Sequence, residues 1–122
     1  DDAIATTSPV YISIAHIEPA LPLSVALLGM GADMHTASLF PESKNLGLAL
    51  SKDAPNLVAV SAPGIPEPRI SLTARVLNSS QEKHLVFFGV DKKRVLDEAM
   101  FLDPLSAPVS AVLDGAVVHW AE

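Results

Sequence analysis

The sequence predicts an α/β domain whose sheet is at least partly parallel. Compact apolar runs recur at Leu23–Leu28, Asn56–Ser61 and His84–Gly89, each followed or closed by glycine, proline or small polar residues. Runs bounded in this way read as buried strands. Helical patterns lie between them, and strands alternating with helices build βαβ units. The composition can fill a core: 49% of the 122 residues are hydrophobic and the mean hydropathy is +0.36. That is too apolar for a disordered chain, and the length suits one domain over residues 1–122.

The elements follow in order. Residues 1–22 form a weakly patterned lead-in. Asp1 to Pro9 reads as a linker, and Tyr11 to Ile17 as a short ordered segment whose type the pattern leaves open. Pro19 and Pro22 then favour turn or extended backbone. Leu23–Leu28 is the first buried strand, and Gly29-Met30-Gly31 a turn leading to a short helical segment before Leu39, Phe40 and Pro41. Residues 42–56 are a polar excursion with a short helix, and Asn56–Ser61 is a second buried strand. Pro63, Gly64, Pro66 and Pro68 make Ala62–Pro68 a loop. Arg69–Thr73 alternates like a half-buried strand, and Thr73 or a neighbour caps a helical turn that ends at Asn78 and Ser79. His84–Gly89 is the clearest strand. Asp91–Phe101 then reads as an amphipathic helix capped by Asp91, with Val95, Leu96, Ala99 and Phe101 on its apolar side. After a loop marked by Pro104 and Pro108 come Val109–Leu113, an Asp114-Gly115 turn and an edge strand, Val117–Trp120.

Charge and composition narrow the function classes. Eight basic against fourteen acidic residues give a net charge of −6, which argues against a nucleic-acid or anionic-membrane surface. A locally positive pocket for a small anion remains compatible with it. No apolar run reaches the ~20 residues of a membrane span, and no basic stretch opens the chain. The absence of cysteine excludes disulfides and thiolate metal sites.

Chemistry-bearing residues crowd behind the first strand, where open α/β sheets hold ligands. Gly29-x-Gly31 is half of a dinucleotide fingerprint, but Met34 stands where the third glycine belongs. The glycines fit a sharp turn instead. Asp33-x-His35 is either a solvated aspartate beside a capping histidine, or a base oriented by a carboxylate. Imidazole is the natural general base near neutral pH. Thr36 and Ser38 add hydroxyls. His16, His84 and His119 lack metal-ligand spacing and read as structural or surface residues, so no metal site is expected. Arg69 follows the proline loop and Lys92 opens a helix; each is either a surface cation or an anion ligand.

The block GMGADMHTASLFP, Gly29 to Pro41, resembles the signature of 6-phosphogluconolactonases, usually G-M-G-x-D-G-H-T-A-S-L-F-P. The resemblance continues in PEPRISLT (Pro66–Thr73), in LVFFGVDK (Leu85–Lys92) and in a final strand ending His119-Trp120. It runs from Leu23 to the end. Met34 departs from the family's glycine. The family's domain is also roughly twice as long, with a glycine-serine phosphate loop and an acidic-arginine segment that are not seen here. The chain therefore looks like the C-terminal half of such a domain.

The resemblance implies a Rossmann-like three-layer fold, with a mostly parallel sheet and flanking helices, incomplete relative to the family. It implies hydrolysis of 6-phospho-D-glucono-1,5-lactone to 6-phospho-D-gluconate in the cytoplasmic oxidative pentose phosphate pathway. His35 would be the general base, oriented by Asp33; Gly31 and Thr36 would face the substrate, with amides around Gly31 aiding the oxyanion. Arg69 and Lys92 would hold the phosphate. No metal or organic cofactor is implied, and no nucleic-acid or membrane partner. The expected partners are the phosphorylated sugar lactone and a missing N-terminal half or partner chain. An incomplete domain should leave a sheet edge unpaired and an apolar face wet. Two alternatives stay open. Glucosamine-6-phosphate deaminases carry a related motif, but their histidine is followed by I-A-F-N-E-P, not T-A-S-L-F-P. A non-catalytic sugar-phosphate-binding fragment is the other.

Overall fold

The computed structural model describes residues 17–122, so the ordered segment expected at Tyr11–Ile17 lies almost wholly outside the described residues. After a 3-10 turn at Glu18–Ala20 come β1 (Val25–Leu28), α1 (Leu46–Leu50), β2 (Leu57–Val60), β3 (Arg69–Leu72) and α2 (Ala74–Asn78). Then follow β4 (Glu82–Phe88), α3 (Val90–Ala99), a 3-10 turn at Pro108–Val112, and β5 (Val117–Ala121). The central sheet has the order β1-β4-β5 and is parallel throughout, with Leu27 opposite His84 and Val86 opposite His119. Parallel neighbours need crossover connections, and α3 supplies one between β4 and β5. The expected α/β class, with a parallel sheet and flanking helices, is what the chain forms.

Not every strand joins that sheet. β2 and β3 pair antiparallel as a separate ribbon, Val58 opposite Ser71, joined by the proline-rich loop. Alternation along the central strands sorts their side chains. Ala26, Leu28, Leu85 and Phe87 are buried, in one core with Leu77 of α2, Leu96 and Ala99 of α3, and Val109 and Val112. The opposite face carries Val25, Leu27, Phe88 and Val117, which are 53%, 73%, 67% and 51% exposed. The described residues thus cover one face of the sheet, giving two of the three expected layers.

Local geometry corrects several expectations. Residues 29–41 form turns rather than a helix, because Met34 (φ 73°) and Ala37 (φ 51°) adopt left-handed backbone that interrupts a right-handed spiral. Thr73 stands at the start of α2, but its hydroxyl donates to the Pro55 carbonyl at 2.7 Å and caps nothing. Gly89 (φ 100°) starts α3; Asp91 lies in the first turn, where its charge favours the helix dipole without capping. α3 stops at Ala99, which leaves Phe101 90% exposed. Val109 and Val112 are buried on a 3-10 turn.

Lys83 was not foreseen as an interior residue. It is buried on β4, and its ammonium donates to Asn78 Oδ1 and the Asp114 carbonyl, each at 2.7 Å. Burial lowers its pKa from the usual lysine value, with Asp114 opposing. The contacts tie the end of α2 and the turn before β5 to the central strand. Among the described residues, no helix is long and apolar enough to cross a membrane.

Candidate active site

Because β1 and β4 run parallel, Gly29 and Gly89 leave the sheet at the same end, and the segments they open meet there. The first begins as a tightly bonded turn. The Gly31 amide donates to the His35 carbonyl at 3.0 Å, and the Met34 amide to the Gly31 carbonyl at 2.9 Å. Thr36 is fully buried and its hydroxyl donates to the Gly29 carbonyl at 2.8 Å. Thr36 thus holds the turn from inside, and the Gly31 amide is engaged within the same turn.

Gly31 is needed for space. A methyl group there would overlap Cε1 and Nδ1 of His35 and crowd Asp33 Oδ1. The His35 ring instead lies against bare backbone, and both its Nδ1 (2.5 Å) and its main-chain amide (3.1 Å) donate to Asp33 Oδ1. Burial alone would raise the Asp33 pKa, but the hydrogen bonds and charge of His35 outweigh it and lower the pKa below the usual 3.8. With the Nδ1 proton committed to Asp33, the basic lone pair of a neutral His35 sits on Nε2. The imidazole is part-exposed and stacks on Phe40, with centroids 4.3 Å apart and planes at 27°. Met34 occupies the family's glycine position by turning its side chain onto the core, and its carbonyl accepts from the Val109 amide at 3.0 Å.

A cleft of about 340 Å³ is lined by Gly29, Met30, Gly31, His35, Ala37 and Lys92. The fold therefore brings Lys92, from the first turn of α3, to the same cavity as the Asp33–His35 pair. Arg69 does not line this cleft. Its guanidinium lies over the Phe40 ring, 5.3 Å from the centroid, and so adjoins His35 through that aromatic. A second groove of about 460 Å³ shares Gly29 and Ala37 with the cleft and continues past Ser38 along β1 and β3. Phe40 and Trp120 escaped the reading of single residues. Trp120 Nε1 donates to the Gly89 carbonyl at 3.0 Å, while the Gly89 amide donates to Ala121 at 2.8 Å. Phe40 had one signal, its place inside the GMGADMHTASLFP block. Among the described residues, no group of three or more His, Asp or Glu could hold a metal ion.

The family described as glucosamine-6-phosphate isomerases/6-phosphogluconolactonase matches residues 3–120. A 6-phosphogluconolactonase of Pseudomonas aeruginosa is 37% identical over 106 residues, covering 84% of this chain and 44% of that protein. One from Caulobacter vibrioides is 40% identical over 115 residues, covering 88% and 48%. The crystal structure of a 6-phosphogluconolactonase from Shewanella baltica superposes with a TM-score of 0.79 at 32% identity, covering 88% of this chain and 50% of that one. That from Thermotoga maritima gives 0.68 at 28%, covering 89% and 48%. The chain spans about half the length of the curated relatives it matches. Its motif, its parallel sheet and these relatives together make it a member of the glucosamine-6-phosphate isomerase/6-phosphogluconolactonase family.

Proposed function

We propose that the chain carries the base-bearing half of a lactonase site that converts 6-phospho-D-glucono-1,5-lactone to 6-phospho-D-gluconate. The observation that carries this reading is the Asp33–His35 pair, which leaves Nε2 as the base in a cleft that also contains Lys92. His35 Nε2 takes a proton from water as its oxygen bonds to the lactone carbonyl carbon. The tetrahedral intermediate collapses by breaking the bond from that carbon to the ring oxygen, which receives the proton back from His35. Asp33 stabilises the imidazolium between the two steps. Lys92 attracts the phosphate as a point charge, and Arg69 reaches it from the Phe40 side as a planar fork. Backbone amides of the glycine turn around Gly31 aid the oxyanion. The family's remaining half completes the site, and the reaction belongs where sugar phosphates are kept, in the cytoplasm.

The test is lactone hydrolysis above the spontaneous rate, by the chain alone and mixed with the N-terminal half of a family relative. Activity should appear in the complete assembly, and His35→Ala should lower kcat there by at least ~10²-fold, with KM little changed. Undiminished turnover by His35→Ala removes His35 from the mechanism. Substrate binding without turnover would establish the non-catalytic alternative, and ammonia release from glucosamine 6-phosphate the isomerase one.

A further inference from the structure

We propose that Phe40 is a positioning residue, whose ring sets the plane of the His35 imidazole and seats the Arg69 guanidinium. The inference rests on the reading of His35 as the base and Arg69 as a phosphate ligand. The hydrogen bond to Asp33 holds Nδ1, and the Gly31 backbone lies close to the ring. The Phe40 face, stacked at 4.3 Å and 27°, adds an aromatic surface that holds the imidazole in this one orientation. Phe40 is itself well anchored. Its side chain is 8% exposed within the core, and its carbonyl accepts from the Ser43 amide at 3.2 Å and the Ser43 hydroxyl at 2.7 Å.

The same ring carries Arg69 at 5.3 Å. An aromatic face is electron-rich, so it favours both a guanidinium and an imidazolium. Phe40 therefore serves the two ends of the substrate at once. It holds the base in the plane that aims Nε2, and it keeps the arginine fork within the reach of a phosphate. A leucine at this position would fill much of the volume but offer no such face.

The experiment compares Phe40→Leu, Phe40→Tyr and the parent chain. On the chain itself, NMR of the His35 imidazole reads the stacking directly through its ring-current shift. Phe40→Leu should abolish that shift and broaden the Nδ1 proton signal, while Phe40→Tyr preserves both. With the complementary half supplied, Phe40→Leu should lower kcat about tenfold on the phosphorylated and the unphosphorylated lactone alike. It should raise KM only for the phosphorylated one. A merely structural role would move both substrates' parameters together, and tyrosine would not rescue them. His35 signals in Phe40→Leu that match the parent overturn the proposal, whether or not turnover is seen. If those signals shift as expected but His35→Ala keeps full activity, the lactonase reading fails while the geometric role of Phe40 stands.

Discussion

Gly31 lies outside the left-handed region that favours glycine, and the reason for its identity is the imidazole packed against it. Gly31→Ala should push His35 and Asp33 off their shared position. The expected result is a fall in kcat of about 10²-fold in the complete enzyme, the scale of a misplacement near 1 Å, with a stability loss of about 1–3 kcal/mol from overpacking. Thermal melting and kinetics of the one variant check both, and parent-like kinetics would show that the pair tolerates displacement. The residue types at this site were legible in the sequence as far as covalent spacing carries them. Asp33 and His35 are two residues apart on a turn, so their meeting is local. Lys92 follows a strand whose end leaves a parallel sheet at the same edge as Gly29, and the pairing of β4 with β1 brings the two together. The burial of Thr36, the engagement of the Gly31 amide and the seat of Arg69 on Phe40 depend on contacts that no local pattern encodes.

At the scale of elements, β5 does more than close the sheet. Trp120 and Ala121 grip the carbonyl and the amide of Gly89, the residue that turns β4 into α3 and so aims Lys92. Trp120→Phe keeps an aromatic ring but removes the indole donor, a loss of about 1 kcal/mol of stability. Loosening the turn should raise KM for the phosphorylated lactone a few-fold and leave the unphosphorylated one unchanged. Equal effects on both would assign Trp120 to the fold alone. Strong apolar runs made β1 and β4 readable, and near-helical spacing of apolar residues made α3 readable, because burial imposes both patterns. The helix expected after Gly31 failed for a physical reason: Met34 and Ala37 accept left-handed backbone, with Met34 packed on the core and the Leu39 amide bonded to Thr36 at 2.9 Å. Antiparallel pairing of β2 with β3 was equally hidden, since strand direction is decided by partners rather than by composition.

At the scale of the molecule, the sheet face that the described residues leave uncovered fits the proposal that a second half completes the domain. Val25, Leu27, Phe88 and Val117 lie on this face around the hydrogen-bonded Glu82, His84 and His119, and we expect a complete three-layer domain to bury them. Leu27 tests this most directly, being 73% exposed and paired in register with His84 on the central strand. In the chain alone, Leu27→Lys should change stability by no more than about 0.5 kcal/mol, as exposed substitutions do, and should reduce self-association. In the mixture with the complementary half it should prevent assembly, because a lysine driven into an apolar interface carries an unpaired charge. Size-exclusion chromatography and the lactonase assay read the two effects separately. If Leu27→Lys assembles and turns over like the parent, this face is not where the proposed complementary half docks.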